Sequence, residues 1–288
     1  MALLETQNLS YVYSDGTPFK VTAIENINIK IEKGELIGII GHTGSGKSTL
    51  VQHLNGLLKP TTGKVLLDGV DIHSSKEVTR QTRFKVGLCF QYPEYQLFES
   101  TVYKDIAFGP HNMGLSAEQV DMNVKRAAEF VGMKSEMLNK SPFDLSGGEK
   151  RRAAIAGVMA MEPEILILDE PTAGLDPKGR DKISKMIEEY RIETGSTIII
   201  VSHSMEDVAK IASKVLVMNK SSVEFFGTVN EVFEKVERLT EIGLNVPEVT
   251  KIFMNIKKAG IPVRTDIYTL EKAKQELLKL LREGGVKQ

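Results

Sequence analysis

The chain has 288 residues, of which 41% are hydrophobic and 26% are charged, and its 37 basic and 38 acidic side chains give a net charge of -1. This length is sufficient for a full α/β core together with a smaller second unit. The near balance of charge gives no indication of nucleic acid or of an acidic membrane surface as a partner. The longest apolar runs, such as residues 36–40 and 198–201, are far shorter than the roughly 18 residues that span a bilayer. We therefore expect any role at a membrane to depend on a partner.

The single cysteine, Cys89, excludes an internal disulfide and a metal site made only of cysteines. The apolar residues around it, 86–90, predict a buried strand in which the thiol is a small core residue. A reducing cytoplasm fits a chain with a single, buried cysteine. The first residues include Glu5 and lack a basic start followed by an apolar run, so we expect no secretory signal.

The first part of the chain predicts a small antiparallel sheet that leads into a buried strand. Residues 3–32 alternate in the manner of strands, with a turn at residues 14–18. Residues 36–40 form a continuous apolar run that ends at Gly41, which is typical of a strand buried on both faces. The helix predicted after it carries apolar residues at helical spacing: Leu50, Leu54 and Leu57.

The middle of the chain predicts helices alternating with buried strands. Ser116 and Gln119 form a capping box that opens a helix reaching Gly132. Its apolar stripe consists of Val120, Val124, Ala127 and Val131. Strands are predicted at residues 165–168 and 197–201, with a helix between them that begins near Pro177 and ends at Gly195. Strand, helix and strand in succession predict a parallel sheet with helices on its faces.

After about residue 228 the pattern changes to helices without a catalytic motif, and we expect a packing role for them. The first helical face consists of Val232, Phe233, Val236, Leu239 and Ile242. A second helix opens at Pro247 and carries Val249, Ile252, Phe253 and Ile256. A third covers residues 270–281.

A glycine-rich loop follows the buried strand at residues 36–40 and precedes a helix. It reads Gly41, His42, Thr43, Gly44, Ser45, Gly46, Lys47 and Ser48, and we refer to it as the phosphate loop. Glycines allow the backbone amides to face phosphates, and the helix start adds partial positive charge. In such a loop Lys47 reaches the β- and γ-phosphates, and the Ser48 hydroxyl binds magnesium. His42 is at a variable position of the loop and is expected to be incidental, and Thr49 follows as a further nucleotide-binding candidate.

Two further motifs contain groups suited to binding ions or phosphates. Asp169 and Glu170 end the strand at residues 165–168, where Asp169 can hold magnesium beside Ser48 and Glu170 can polarise an attacking water. The Ser-Gly-Gly turn at residues 145–149 opens a helix and is a second anion site. Because the phosphate loop already holds one nucleotide, this surplus indicates a partner subunit whose nucleotide the turn completes.

The order of these motifs resembles that of the ATP-binding cassette (ABC) ATPases over roughly residues 3–228. The matching positions are 41–48, Gln91, 145–149, 165–170, 173–176 and His203. The resemblance implies an α/β P-loop NTPase domain at residues 1–228, with a small antiparallel β subdomain and a helical subdomain at about 92–162. Residues 229–288 are then a helical extension that contributes dimer contacts. It also implies that two cassettes sandwich two ATPs head to tail, so that Ser146, Gly147 and Gly148 bind the γ-phosphate of the partner's ATP.

The resemblance assigns roles to single residues. Gln91 resembles the glutamine that contacts magnesium and the attacking water, and His203 the histidine that contacts the γ-phosphate and positions Glu170. Asp176 resembles an aspartate that communicates across the dimer, although it is equally a helix cap before Pro177. The adenine-stacking aromatic is expected at Tyr13, with Tyr11 as the competing choice.

The stretch at residues 90–98, followed by residues 101–110, resembles the ATPases of energy-coupling factor transporters more specifically, as does the tail at 243–249. This implies an ATP- and Mg²⁺-dependent subunit peripheral to the cytoplasmic face of the cell membrane, where vitamins or cobalt and nickel ions are imported. Its partners are a second ABC ATPase, a membrane scaffold protein and a substrate-binding membrane protein. The chain looks more like the second of two unequal ATPases. Tyr95, Leu97 and Phe98 are expected to form an apolar groove for the scaffold, with core packing of Phe98 as the alternative.

Three alternatives belong to the same superfamily. A DNA-repair or chromosome ATPase has a long coiled coil between the phosphate loop and the Ser-Gly-Gly turn, and no sustained heptads occur here. A translation-factor relative carries two cassettes in one chain, whereas this chain has one. An ordinary importer or exporter subunit is the runner-up. The sequence identifies neither the transported substrate nor whether the chain forms a homodimer or a heterodimer.

Overall fold

The computed structural model describes residues 2–244 and 246–283, and within them it has eleven strands and eleven α-helices. The strands are β1 (Leu4–Tyr13), β2 (Val21–Ile27), β3 (Lys30–Ile31), β4 (Leu36–Gly41), β5 (Thr62–Leu67), β6 (Val70–Asp71), β7 (Val86–Cys89), β8 (Ile165–Asp169), β9 (Thr197–Val201), β10 (Lys214–Asn219) and β11 (Ser222–Thr228). The helices are α1 (Lys47–Leu54), α2 (Lys76–Lys85), α3 (Val102–Met113), α4 (Ala117–Phe130), α5 (Gly147–Met159), α6 (Pro177–Thr194), α7 (Met205–Ile211), α8 (Val229–Phe233), α9 (Val236–Glu241), α10 (Glu248–Lys258) and α11 (Leu270–Glu283).

A six-stranded sheet in the order β11-β10-β4-β9-β8-β7 forms the centre of the fold. All its pairs are parallel except β10 with β11. Every residue of β4, β8 and β9 is buried, because helices and the second sheet cover both faces of these apolar strands. The carboxyl ends of β4, β8 and β9 meet at one edge, which brings Gly41, Asp169 and the segment after Val201 together.

The second sheet is antiparallel and has the order β2-β1-β5-β6, with β3 paired to β1. Its inner side chains, including Leu9, Ile24 and Ile27, pack with Ile39 of β4 and with α1 in one apolar cluster. The small antiparallel sheet expected from residues 3–32 is therefore present and covers one face of the central sheet.

Helices α3, α4 and α5 pack together beside the central sheet. The predicted capping box is present, since the Ser116 N–H donates to Gln119 Oε1 at 3.0 Å. Helix α3 was not predicted from the pattern; it begins after Thr101, whose side chain caps it, and includes Pro110. Cys89 is buried, and burial raises the pKa of its thiol to about 12.

Two predicted helix boundaries are wrong. Leu57 lies outside α1 and is exposed, because Gly56 has a φ of +73° and ends the helix in a Schellman turn, with Leu57 N–H donating to Gln52 O at 2.9 Å. The face at residues 232–242 is divided between α8 and α9, which separate at Lys235. Phe233 and Leu239 are nevertheless buried in one cluster with Ile40 of β4, so the helical extension packs on the central sheet.

Candidate functional site

The phosphate loop curls tightly between β4 and α1. Its Gly41 has a φ of +154°, and a Cβ there would lie 2.3 Å from Met218 O. Gly46 has a φ of +102°, and its Cβ would lie 2.4 Å from Ala23 O. Larger residues do not fit these positions, so the glycines are required by close backbone approach as well as by conformation.

Lys47 lies within the curl of the loop. Its Nζ donates to Gly41 O at 2.7 Å and to His42 O at 2.9 Å, which uses two of the three ammonium donors. Burial lowers the pKa of Lys47, and the nearby carboxylates of Glu170 and Asp169 oppose that shift. The loop therefore holds a cation at its centre, as a phosphate site requires.

Asp169, at the end of β8, faces the start of α1. It is buried, and burial raises its pKa while a hydrogen bond from Ser48 and the charge of Lys47 lower it. Hydroxyl and carboxylate oxygens side by side are hard donors of the kind that Mg²⁺ prefers. With Gln91 on the same cleft, these residues fit a magnesium ion that is also bound by phosphate oxygens.

Glu170 has a left-handed backbone, with a φ of +54°, and its N–H donates to Val201 O at 2.9 Å. Its buried Oε1 has no hydrogen-bond partner of good geometry, although His203 Nε2 lies 3.2 Å away. Burial, together with the charge of Asp169, raises the pKa of Glu170 to about 7, and the His203 backbone amide opposes this. A carboxylate with such a pKa and an unfilled acceptor atom is suited to take a proton from water.

His203 follows β9 and stays half exposed at the same edge. Burial and the positive charge of Lys47 lower the pKa of its imidazole. A neutral imidazole beside Glu170 can both accept and donate a hydrogen bond.

These side chains surround a cleft of about 330 Å³. The lining residues predicted from sequence are Tyr13, Thr43, Gly44, Gly46, Lys47, Ser48, Thr49, Gln91, Asp169, Glu170 and His203. Val21, Thr22 and Ala23 of β2 also line it, and sequence reasoning missed them because only the pairing of β2 with β1 brings them there.

The structure distinguishes between the two candidate tyrosines. Tyr13 lines the cleft, is 40% exposed, and has its hydroxyl 3.3 Å from Thr49 Oγ1. Tyr11 instead packs edge-on against His53, at 4.7 Å between ring centroids, next to the core. Tyr13 therefore has the free aromatic surface that stacking on a base requires.

Ser146, Gly147 and Gly148 of the Ser-Gly-Gly turn are exposed, and among the described residues that line the cleft none belongs to the turn. Ser146 is the N-cap of α5, and its N–H and Oγ donate to Glu149 Oε2 at 2.8 and 2.6 Å. Gly147 has open space where a side chain would be. Asp176 likewise does not line the cleft; it caps α6 by accepting from Gly179 N at 2.8 Å.

Arg151, which sequence reasoning missed, connects three parts of the site. This buried side chain of α5 pairs with Glu94, at 3.3 Å between Nη2 and Oε1, and donates to Ala173 O at 2.5 Å. Glu94 lies three residues after Gln91 and Ala173 three after Glu170. Helix α5 is thus joined to the loop that follows Gln91 and to the loop that follows Glu170.

An apolar groove of about 310 Å³ lies between α3, α5 and the segment after Gln91. Phe98 lines it and is exposed, with its ring edge-on to Phe108 at 5.0 Å. Leu97 is partly buried and lines the groove, whereas Tyr95 is 85% exposed and does not line it, so the prediction that Tyr95 forms part of the groove is wrong. Phe98 is therefore a surface residue, and the alternative of core packing is wrong for it.

Comparisons with known proteins agree with this geometry. The model of the family described as "ABC transporter" matches residues 24–173. An energy-coupling factor transporter ATP-binding protein EcfA2 of Caldanaerobacter subterraneus subsp. tengcongensis is 53% identical and covers 97% of this chain and 98% of its own. One of the same description from Clostridium acetobutylicum is 55% identical, with coverages of 98% and 99%.

Two solved structures have folds similar to that of this chain. CbiO1 of Clostridium perfringens, described as part of the ABC transporter complex cbiONQ, superposes with a TM-score of 0.74 at 40% identity, covering 88% of this chain and 99% of its own. The cassette MJ0796, solved as a dimer bound to ADP and Pi, has a TM-score of 0.71 at 26% identity and coverages of 78% and 98%.

The chain belongs to the energy-coupling factor ABC ATPases. The expected fold class and the resemblance to the second of the paired ATPases are both confirmed by these relatives. As an energy-coupling factor ATPase it binds ATP and couples ATP hydrolysis to transport. No helix within the described ranges 2–244 and 246–283 has both the length and the apolar character to cross a membrane.

Proposed function

We propose that this energy-coupling factor ATPase binds and hydrolyses MgATP in the cleft at the edge of β4, β8 and β9 and thereby powers import of a vitamin or a transition-metal ion. The observation that carries the proposal is the convergence of Lys47, Ser48, Asp169, Glu170 and His203 on one cleft. Its membrane partners are a scaffold protein and a substrate-binding protein, reached from the cytoplasmic face of the membrane.

In the proposed mechanism the amides of the phosphate loop and the Lys47 ammonium bind the phosphates, and Tyr13 stacks on adenine. Ser48 and Asp169, with Gln91 nearby, would hold Mg²⁺, which would supply positive charge beside the phosphates. The Glu170 carboxylate accepts a hydrogen bond from the attacking water and takes a proton from it. His203 holds that carboxylate in place and reaches toward the γ-phosphate.

A second cassette completes the site. Ser146, Gly147 and Gly148 are exposed at the N-terminus of α5 and do not line their own chain's cleft. We infer that Ser146, Gly147 and Gly148 bind the γ-phosphate held by a partner cassette, and that Asp176 lies near the same interface. The MJ0796 cassette, which has the same fold, is described as dimeric with ADP and Pi bound, which supports a pair of cassettes.

Reconstitution tests the proposal directly. The chain is co-expressed with a second cassette, a scaffold protein and a substrate-binding protein, and the purified assembly is placed in lipid vesicles. We expect a stable four-part complex and ATP-dependent uptake. A chain that hydrolyses ATP but fails to assemble with membrane proteins, and that copurifies with ribosomes or DNA instead, would refute the transport role.

A further inference from the structure

A contact between the phosphate loop and the helical extension joins residues far apart in the chain. His42 Nε2 lies 2.5 Å from Ile242 O, across 200 residues of sequence. Since a carbonyl oxygen only accepts, His42 Nε2 carries the hydrogen and donates it. A Cβ on Gly243 would lie 2.8 Å from the same nitrogen, so the imidazole rests directly on the backbone of that turn.

The turn that receives His42 is well fixed. Gly243 has a φ of +75°, and it ends α9 in a Schellman turn in which Leu244 N–H donates to Leu239 O at 2.7 Å and Gly243 N–H to Thr240 O at 2.9 Å. The Ile242 carbonyl belongs to the last turn of the helix, where carbonyls have no intrahelical partner. Leu239 and Leu244 anchor the turn in the apolar cluster that contains Ile40.

On the other side of the contact, His42 is part of the phosphate cradle itself. Its carbonyl accepts from Lys47 Nζ at 2.9 Å and from Ser45 N at 3.1 Å. A phosphate that draws the Lys47 ammonium toward itself competes with the first of these bonds. Any change in the His42 backbone then acts on the side-chain bond to Ile242.

We infer that His42 is a positioning residue that couples occupancy of the phosphate loop to the helical extension. The inference rests on the proposed nucleotide site. The extension holds the loop in its binding conformation through the imidazole, and nucleotide in the loop in turn changes the stability of the α9 turn. Such coupling is reciprocal, because two linked equilibria must affect each other by the same factor.

The experiment compares full-length variants in two measurements: the Kd for MgADP, and hydrogen exchange of residues 236–244 with and without MgADP. His42→Ala removes the imidazole donor, whereas His42→Gln keeps a side-chain N–H at similar reach. His73→Ala is the matched control, because His73 Nε2 is hydrogen-bonded to Leu58 O at 3.1 Å, away from the loop. Gly243→Ala disturbs the same contact from the extension.

We expect MgADP to change exchange at residues 236–244 in the wild type. His42→Ala should abolish that change and raise the Kd about three- to tenfold, the effect of one lost hydrogen bond. Gly243→Ala should do the same, and adding it to His42→Ala should cost little more. His42→Gln should keep both the Kd for MgADP and the change in hydrogen exchange close to those of the wild type. His73→Ala should also resemble the wild type.

A nucleotide-dependent change that persists in His42→Ala would overturn the inference. So would a wild type that binds MgADP without any change in the turn. A wild type that fails to bind MgADP would refute the nucleotide site itself, which distinguishes the two failures. If His42→Ala does not fold, Gly243→Ala and His42→Gln still decide between these outcomes.

Discussion

At the scale of single residues, the charges of the cleft follow from where the strands end. Lys47 and Asp169 were predictable, because phosphate and magnesium chemistry requires these residue types after buried strands. The choice between Tyr11 and Tyr13 was not predictable, since both have the same strand parity. Irregular pairing of β1 with β2 around Tyr11 separates their environments, and a register shift of that kind leaves no trace in the alternation of residues.

The residue with the clearest chemical role is Glu170, and Glu170→Gln tests it. The amide keeps the size of the side chain but cannot take a proton, so we expect MgATP binding to persist while turnover falls 10²-fold or more, about 3 kcal/mol of barrier. Steady-state ATPase rates measure this, with the partner cassette disabled in the same way. Glu164→Gln, at the opposite end of β8, is the control and should be unaffected. Normal turnover in Glu170→Gln would remove the carboxylate from catalysis.

At the scale of elements, the main helices and strands were predictable from hydrophobic period and caps, and the exceptions have local causes. Helix α1 ends at Leu54, before the left-handed Gly56, although Leu57 continues its spacing. Helix α3 was missed because Gly109 and Pro110 lie within it and obscure the helical pattern. The role of Arg151 was hidden for another reason: its partners Glu94 and Ala173 are remote in sequence.

Arg151→Ala should destabilise the protein more than loss of an ordinary surface charge. It leaves the Glu94 carboxylate, only 19% exposed, without its partner. We expect a loss of about 2 kcal/mol, below the roughly 3–5 kcal/mol of a fully buried pair. Thermal and denaturant unfolding measure this.

Arg126→Ala is the matched control for Arg151→Ala. Arg126 pairs with Glu162 at 2.6 Å between side chains that are 45% and 43% exposed, so its loss should cost at most about 1 kcal/mol. Equal losses in the two variants would show that the connection made by Arg151 is energetically unimportant.

At the scale of the whole molecule, we propose one surface for the attachment of a membrane partner. The apolar groove beside Phe98 lies at the end of the segment that starts with Gln91 in the cleft. A partner helix seated there would contact both the groove and the loop that reaches the nucleotide. The sequence could indicate this surface only by resemblance, since its depth depends on how α3 packs against α5.

Leu97→Ala and Phe98→Ala, which both truncate side chains that line the groove, should therefore weaken transport more than nucleotide binding. We expect assembly with the scaffold protein to fall about tenfold while the Kd for MgATP stays within twofold, because truncation at a docking surface of this kind costs roughly 1–2 kcal/mol. Copurification and uptake in vesicles measure the first effect. Phe19→Ala is the control, since Phe19 is 81% exposed and does not line the groove. Unchanged assembly in both groove variants would place the scaffold elsewhere.

The proposed composite site, in which Ser146 and its neighbouring glycines serve a partner cassette, has a kinetic consequence. A chain that presents half of a hydrolytic site, with the other half on a second molecule, has a reaction order that depends on protein concentration. In dilute solution the rate should rise with the square of cassette concentration and become linear only once dimers are saturated. Tethering by the proposed membrane scaffold would replace that bulk concentration with a high local one, so we expect the assembled transporter to hydrolyse ATP at abundances where free chains are nearly inactive.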